Sequence, residues 1–128
     1  MGKPLIIINV LDQDSYNDCH IKGSINVPLD KLAEYAQKNL EENDQIIIYC
    51  ASFSCTASDQ AWHLLQEHGF ENVVVYSGGA AQWFQLQFPM EGACQNAYLG
   101  RQENPQDRGV PTISAQELKK KMEHDSIL

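Results

Sequence analysis

The chain has 128 residues, 43% of them hydrophobic, and a formal net charge of −8. That length suits one domain with a single core, and the acidity argues against nucleic acid or an anionic membrane surface as a partner. No apolar run approaches a membrane span, and the short run behind Met1-Gly2-Lys3 is no signal peptide, so the expected location is cytoplasmic.

In chain order, Leu5–Asn9 reads as a buried strand and residues 12–18 as a short helix or turn. Gly23-Ser24 marks a turn, and Ile25-Asn26-Val27 a short strand ended by Pro28. Asp30 is the expected N-cap of a helix running to about residue 38, with Leu32, Tyr35 and Ala36 on one face. Gln45–Tyr49 has the composition of a fully buried strand. Residues 56–68 read as a helix with Ala57, Ala61, Leu64 and Leu65 inward and Gly69 as its stop. Residues 73–76 form another strand, and Gly78-Gly79 opens a helix through about residue 86. Residues 91–108 read as a long polar loop. Ser114 and Glu117 then make a capping box for a last helix, with Lys119, Lys120 and Lys121 in its later turns. Strands alternating with helices predict an α/β fold: a mostly parallel sheet of four to five strands covered on both faces.

The four cysteines are Cys19, Cys50, Cys55 and Cys94. A chain with strands this apolar needs no staples, so reduced thiols are expected, with Cys19 and Cys94 as bystanders. The spacings do not fit a zinc site, and neither metal nor cofactor is expected. The stretch Ile48-Tyr49-Cys50-Ala51-Ser52-Phe53-Ser54-Cys55-Thr56 puts Cys50 at the carboxyl end of a buried strand, before a helix start. Free N–H groups and the helix dipole lower a thiol's pKa there and cradle an anion. Cys50 is therefore the candidate nucleophile. Ala51, Ser52, Phe53, Ser54 and Thr56 form the candidate substrate-binding loop, and Cys55 is the candidate resolving thiol.

Three motifs in order resemble the rhodanese-like (sulfurtransferase) family. Cys19-His20-Ile21-Lys22-Gly23-Ser24-Ile25-Asn26-Val27-Pro28 is similar to the family's Gly-His-Ile-x-Gly-Ala-x-Asn-Ile-Pro signature. Ile48-Tyr49-Cys50 sits where the family places its active-site cysteine. Ser77-Gly78-Gly79 through Trp83, then Phe88-Pro89, resembles its Gly-Gly-x-x-x-Trp element. The resemblance implies a persulfide carried on Cys50, drawn from a sulfane-sulfur donor and passed to a thiol acceptor, with protein thiols among the candidates. The chain departs from the family in the loop, where the common Cys-Arg-x-Gly-x-Arg is replaced by Cys50-Ala51-Ser52-Phe53-Ser54-Cys55. Without arginine to grip an oxyanion, polysulfide or a protein persulfide is a better expected donor than thiosulfate, and phosphatase chemistry is not expected. Two other functions stay open: a non-catalytic binding module working through the loop and Phe53, and a Cys50–Cys55 thiol–disulfide switch. His20 and Trp83 are expected to be structural, and His63 and His68 to lie at the surface.

The expected organisation is a core over residues 1–92, a linker over 93–109 and a strand–helix element over 110–128. Family domains commonly open with a strand and helix of the form Ile-Ser-x-x-Glu-Leu, and Ile113-Ser114-Ala115-Gln116-Glu117-Leu118 resembles that element placed at the other end. It is expected either to begin a second domain or to dock on the sheet, in its own chain or in a neighbour's as a swapped dimer.

Overall fold

The computed structural model describes residues 4–128; Met1, Gly2 and Lys3, part of the N-terminal reading above, lie outside the described residues. The elements run β1 (Leu5–Asn9), α1 (Gln13–Asp18), β2 (His20–Ile21), β3 (Ile25–Asn26), α2 (Leu32–Asn39), β4 (Gln45–Tyr49), α3 (Ala57–Glu67), β5 (Val73–Val75), α4 (Gly79–Gln85), β6 (Met90–Glu91) and α5 (Ala115–His124). Four strands form a parallel sheet in the order β3-β1-β4-β5, and β2 pairs with β6 in a separate antiparallel pair. The fold is α/β with helices on both faces, as the alternation of patterns predicts.

Side chains along a strand alternate between faces, and β4 shows the consequence. Ile47 and Tyr49 enter the core that holds Ala80, Trp83 and Leu118. Ile46, Ile48 and Cys50 enter the core that holds Leu32, Ala61 and Leu65. The residue after the last β4 position is thus committed to the α3 side. The Tyr49 hydroxyl accepts from Ile21 N–H at 3.0 Å and lies 2.8 Å from Ser24 Oγ, tying the signature turn to the central strand. Burial pushes that hydroxyl up to about 12.

Local details differ from expectation at three places. Asp30 does not cap α2; it lies in a 3₁₀ turn over Leu29–Lys31, and Lys31 is the cap residue with no side-chain bond. Pro28 fixes the backbone just ahead, and the chain turns before the α-helix begins. The polar stretch after residue 90 is more ordered than a loop, with β6 at its start and a 3₁₀ turn over Ala97–Gly100.

The third difference concerns the bystander cysteines: Cys19 and Cys94 are joined in a disulfide. Their neighbours explain the approach. Asp18 at the end of α1 accepts from Gln95 N–H at 3.0 Å and Asn96 N–H at 3.1 Å through its carboxylate. Its carbonyl accepts from Cys94 N–H at 2.7 Å. Gly92, at φ +111°, lets the chain pass against the Asp18 carbonyl where a Cβ would clash. A pairing across 75 residues leaves no local signal in spacing.

The segment beyond residue 110 lies along the sheet edge. Val75 N–H donates to Pro111 O at 2.9 Å and Ile113 N–H donates to Val75 O at 3.0 Å, a parallel bridge between Val75 and Thr112. Ala115, Leu118 and Met122 of α5 are buried in the same core as Tyr49 and Trp83. Ser114 Oγ accepts from Glu117 N–H at 3.1 Å, closing the expected cap.

Candidate active site

Cys50 follows β4 directly, and its carbonyl is held by the start of α4. Ala80 N–H donates to Cys50 O at 3.0 Å and Ala81 N–H to Ala51 O at 2.9 Å. This close approach depends on Gly79, at φ +66°, where a Cβ would come within 2.5 Å of the Cys50 carbonyl oxygen. The Gly78-Gly79 pair therefore does more than start a helix; it lets one helix end rest on the backbone of the thiol loop. Cys55 N–H donates to Ser52 O at 3.0 Å, folding the loop into a turn that brings the two cysteines together.

The two thiols are both free and lie on the same turn of the loop. Cys50 is 1% exposed, and Cys55 is half-buried. Cys50 Sγ also lies 3.3 Å from Ser58 Oγ and 3.5 Å from the Cys55 carbonyl. The proton stays with Cys50: its hydrogen bond to Cys55 and then its burial push its thiol well above the ordinary value. Cys55 is lowered to about 6, first by the hydrogen bond from Cys50, then by N–H donors at Ala51 and Ala57 and by the positive charge of Arg108. A lowered thiol was expected at Cys50. The charge instead sits on its partner, because Cys55 receives the loop's N–H groups and keeps contact with solvent.

The other loop residues divide. Ser52 is buried, 3.4 Å from Ser54 Oγ. Ser54 is exposed, and its N–H donates to Glu103 Oε1 at 3.3 Å. Hydrogen bonds from Ser54 and Ser52 hold the Glu103 carboxyl below the usual range. Thr56 accepts from Gln60 Nε2 at 3.1 Å and does not cap α3 with its side chain. Phe53 is half-buried and lines a cavity of about 200 Å³ with Ser52, Gly78, Gln82, Arg101 and Glu103. The larger cavity, about 650 Å³, lies at the other end of the sheet beside Leu5, Gln45 and α5, away from both thiols.

Two functional candidates gave no sign in the sequence. Arg108 Nη2 donates to the Phe53 carbonyl at 2.5 Å, while Nη1 pairs with Asp59 Oδ2 at 3.3 Å. The loop lacks an arginine of its own, yet one reaches it from about fifty residues downstream. Glu103 arrives on the same segment. Asp59, the partner of Arg108, is an acidic residue in the first turn of α3 that the fold buries. The remaining candidates are structural. His20 stacks on Tyr16 with ring centroids 3.8 Å apart and places Nδ1 2.7 Å from the Tyr16 carbonyl. Trp83 is fully buried and donates from Nε1 to Pro89 O at 2.8 Å. No group of three or more His, Cys, Asp or Glu that could hold a metal occurs among the described residues.

The model of the rhodanese-like domain family matches residues 1–86. The thiosulfate sulfurtransferase GlpE of Coxiella burnetii is 32% identical over 81 residues, covering 63% of this chain and 73% of that protein. The crystal structure of a rhodanese-like domain of the Alr3790 protein from Anabaena is 35% identical with a TM-score of 0.64, covering 69% of this chain and 92% of that one. A structure described as rhodanese with anions from E. coli is 28% identical with a TM-score of 0.57, covering 69% and 98%.

Proposed function

Because the chain belongs to the rhodanese-like domain family, we propose that it is a sulfurtransferase that carries sulfane sulfur as a persulfide on Cys50, with Cys55 as base and then resolving thiol. The observation that carries this reading is a pair of free cysteines on one turn of the loop, with Cys50 Sγ 3.5 Å from the Cys55 carbonyl; the lowered Cys55 thiol supports it. Cys50 passes its proton to the Cys55 thiolate and attacks the outer sulfur of a persulfide donor R–S–SH. The donor's S–S bond breaks, R–S⁻ leaves, and Cys50 becomes Cys50–S–SH. Once Cys55 loses the proton it gained, it attacks the inner sulfur. HS⁻ leaves, and a Cys50–Cys55 disulfide remains. An external dithiol returns two electrons and restores both thiols. An acceptor thiol from solution, small or on a protein, can take the outer sulfur in place of Cys55.

Thiosulfate, named for the relative from Coxiella burnetii, suits this loop less well. Residues 50–56 contain no cationic side chain, and the guanidinium that approaches is engaged by Asp59 and the Phe53 carbonyl. Polysulfide and protein persulfides need no bidentate grip on an oxyanion. The test is intact mass spectrometry after exposure to polysulfide or thiosulfate, for the wild type, Cys50→Ser and Cys55→Ser. A gain of one sulfur, about 32 Da, that requires Cys50 supports transfer. Gain in Cys55→Ser with only a loss of two protons in the wild type assigns Cys55 as the resolving thiol. No gain in any protein sinks the proposal. The contact between the two thiols also favours a second reading, a Cys50–Cys55 redox switch. It predicts disulfide formation with a plain oxidant and no sulfur gain in any variant.

A further inference from the structure

The segment from Arg101 to Val110 crosses the mouth of the thiol loop and is fastened at three points. On α4, Gln85 Nε2 donates to Leu99 O at 2.9 Å and to Arg101 O at 2.6 Å. In the middle, Glu103 accepts the Ser54 N–H at 3.3 Å, and the neighbouring Ser54 and Ser52 hydroxyls help hold its carboxyl below the usual range. At the far end Arg108 grips Asp59 and the Phe53 carbonyl. The segment then runs directly into the residues that pair with β5. Its path is therefore set at both ends by the fold.

The donors that Glu103 occupies belong to the loop itself. A backbone N–H with two neighbouring hydroxyls on the thiol loop offers the kind of donors that a small oxyanion would use. Here a carboxylate from the same chain uses them. We propose that Glu103 and Arg108 set the charge specificity of the thiol site: Glu103 fills the loop's anion donors and repels small dianionic donors such as thiosulfate, while Arg108 anchors the segment and balances the charge on the sulfur. This deepens the sulfurtransferase reading and rests on it for the donor class. It also gives that preference a cause beyond the missing loop arginines.

Charge selection at a thiol can be read without any sulfur transfer. Iodoacetamide and iodoacetate alkylate a thiolate by the same displacement of iodide and differ by one negative charge. Second-order rates for both are measured at fixed pH and ionic strength on the full chain with the Cys19–Cys94 bond intact, and peptide mapping assigns the modified thiol. Glu103→Gln is expected to raise the iodoacetate-to-iodoacetamide ratio about 3- to 10-fold, the size of one unit charge acting at a wet site. Arg108→Gln is expected to lower it by a similar factor, and Arg108→Lys to keep most of the wild-type ratio should loss of the clamp disturb folding. In parallel, Glu103→Gln is expected to form persulfide from thiosulfate faster than the wild type, with release of sulfite: Cys–S⁻ + S–SO₃²⁻ gives Cys–S–S⁻ + SO₃²⁻. A Glu103→Gln ratio within 1.5-fold of the wild type overturns the proposal. A raised ratio with no sulfur uptake by any variant upholds the charge gate and removes the transferase reading instead.

Discussion

The two cysteine pairs of this chain differ in almost every respect that decides what a thiol does. Cys50 and Cys55 are five residues apart, both free, and share a loop that α4 steadies through the Cys50 and Ala51 carbonyls. Cys19 and Cys94 are 75 residues apart and bonded, joining the end of α1 to the segment that later crosses the thiol loop. In the first pair, the hydrogen bond from Cys50, backbone donors and a neighbouring cation lower the Cys55 thiol. The second has no thiolate to offer and acts as a tether. A cysteine count alone made all four look alike; surroundings separate them.

The largest expected effect tests the reactive pair. Cys55 is lowered from 9.0 to about 6, with the hydrogen bond from Cys50 as the first cause. Below pH 6 the pair holds both protons, and reaction with neutral iodoacetamide should be slow. The rate should rise through about pH 6 and level off well below the range where an ordinary thiol ionises. Cys50→Ala removes the leading cause, so the midpoint should move up towards 9.0. A midpoint unchanged by that substitution would break the claim that Cys50 is what lowers Cys55 most.

Next in size is the tether. Opening a closure of 75 residues should cost about 4.5 kcal/mol by the loop-entropy account. Cys19→Ser/Cys94→Ser should therefore unfold at markedly lower denaturant than the oxidised wild type, while its iodoacetamide profile keeps the midpoint near 6. If that midpoint moved with the tether, the two pairs would not be independent. The bond also bears on location, since such bonds persist where the surroundings are oxidising, and the expectation of reduced thiols does not hold for Cys19 and Cys94.

A third effect concerns α5. Leu118 is fully buried against the core that holds Trp83 and Tyr49. Leu118→Ala should cost about 3 kcal/mol through lost burial and an unfilled cavity. Urea titration with an unchanged slope would confirm a loss of stability, whereas a change in unfolding free energy below about 0.5 kcal/mol would show that α5 is not part of the cooperative unit.

What could be read from the residues was what physics makes local. β1 and β4 were visible as unbroken apolar runs because both faces of a covered parallel sheet are dry. α3 was visible because its apolar residues recur at helical spacing ahead of Gly69. Cys50 was visible because a strand end before a helix start is a local pattern. Other features have no such pattern. β2 and β6 are two residues each and exist only by pairing with one another. Cys94, Glu103 and Arg108 meet Cys19, Ser54 and Phe53 only after the chain has passed around the sheet edge. Asp30 looked like a cap by type, but Pro28 set the backbone first. The position of Cys50 was therefore legible, whereas the charge that surrounds the thiol pair was not.

The smallest effect bears on how the tethered segment and the thiol loop are joined in one unit. Ser114 closes the first turn of α5 by accepting from Glu117 N–H, and its hydroxyl donates back to the Glu117 carboxylate at 3.0 Å. Both groups are exposed, so Ser114→Ala removes a cap without opening a cavity and should cost about 1 kcal/mol. If α5 unfolds together with the sheet, the whole transition should move down by about 3–5 °C for a chain of this size. If α5 unfolds by itself, the main transition should stay in place and only amide exchange within α5 should quicken. The bonds from Ile113 N–H to the Val75 carbonyl and from Val75 N–H to the Pro111 carbonyl favour the first outcome, since fraying α5 loosens the residues that cover β5. Arg108 lies just ahead of those residues, so the same substitution should leave the Cys55 midpoint unmoved while the domain is folded.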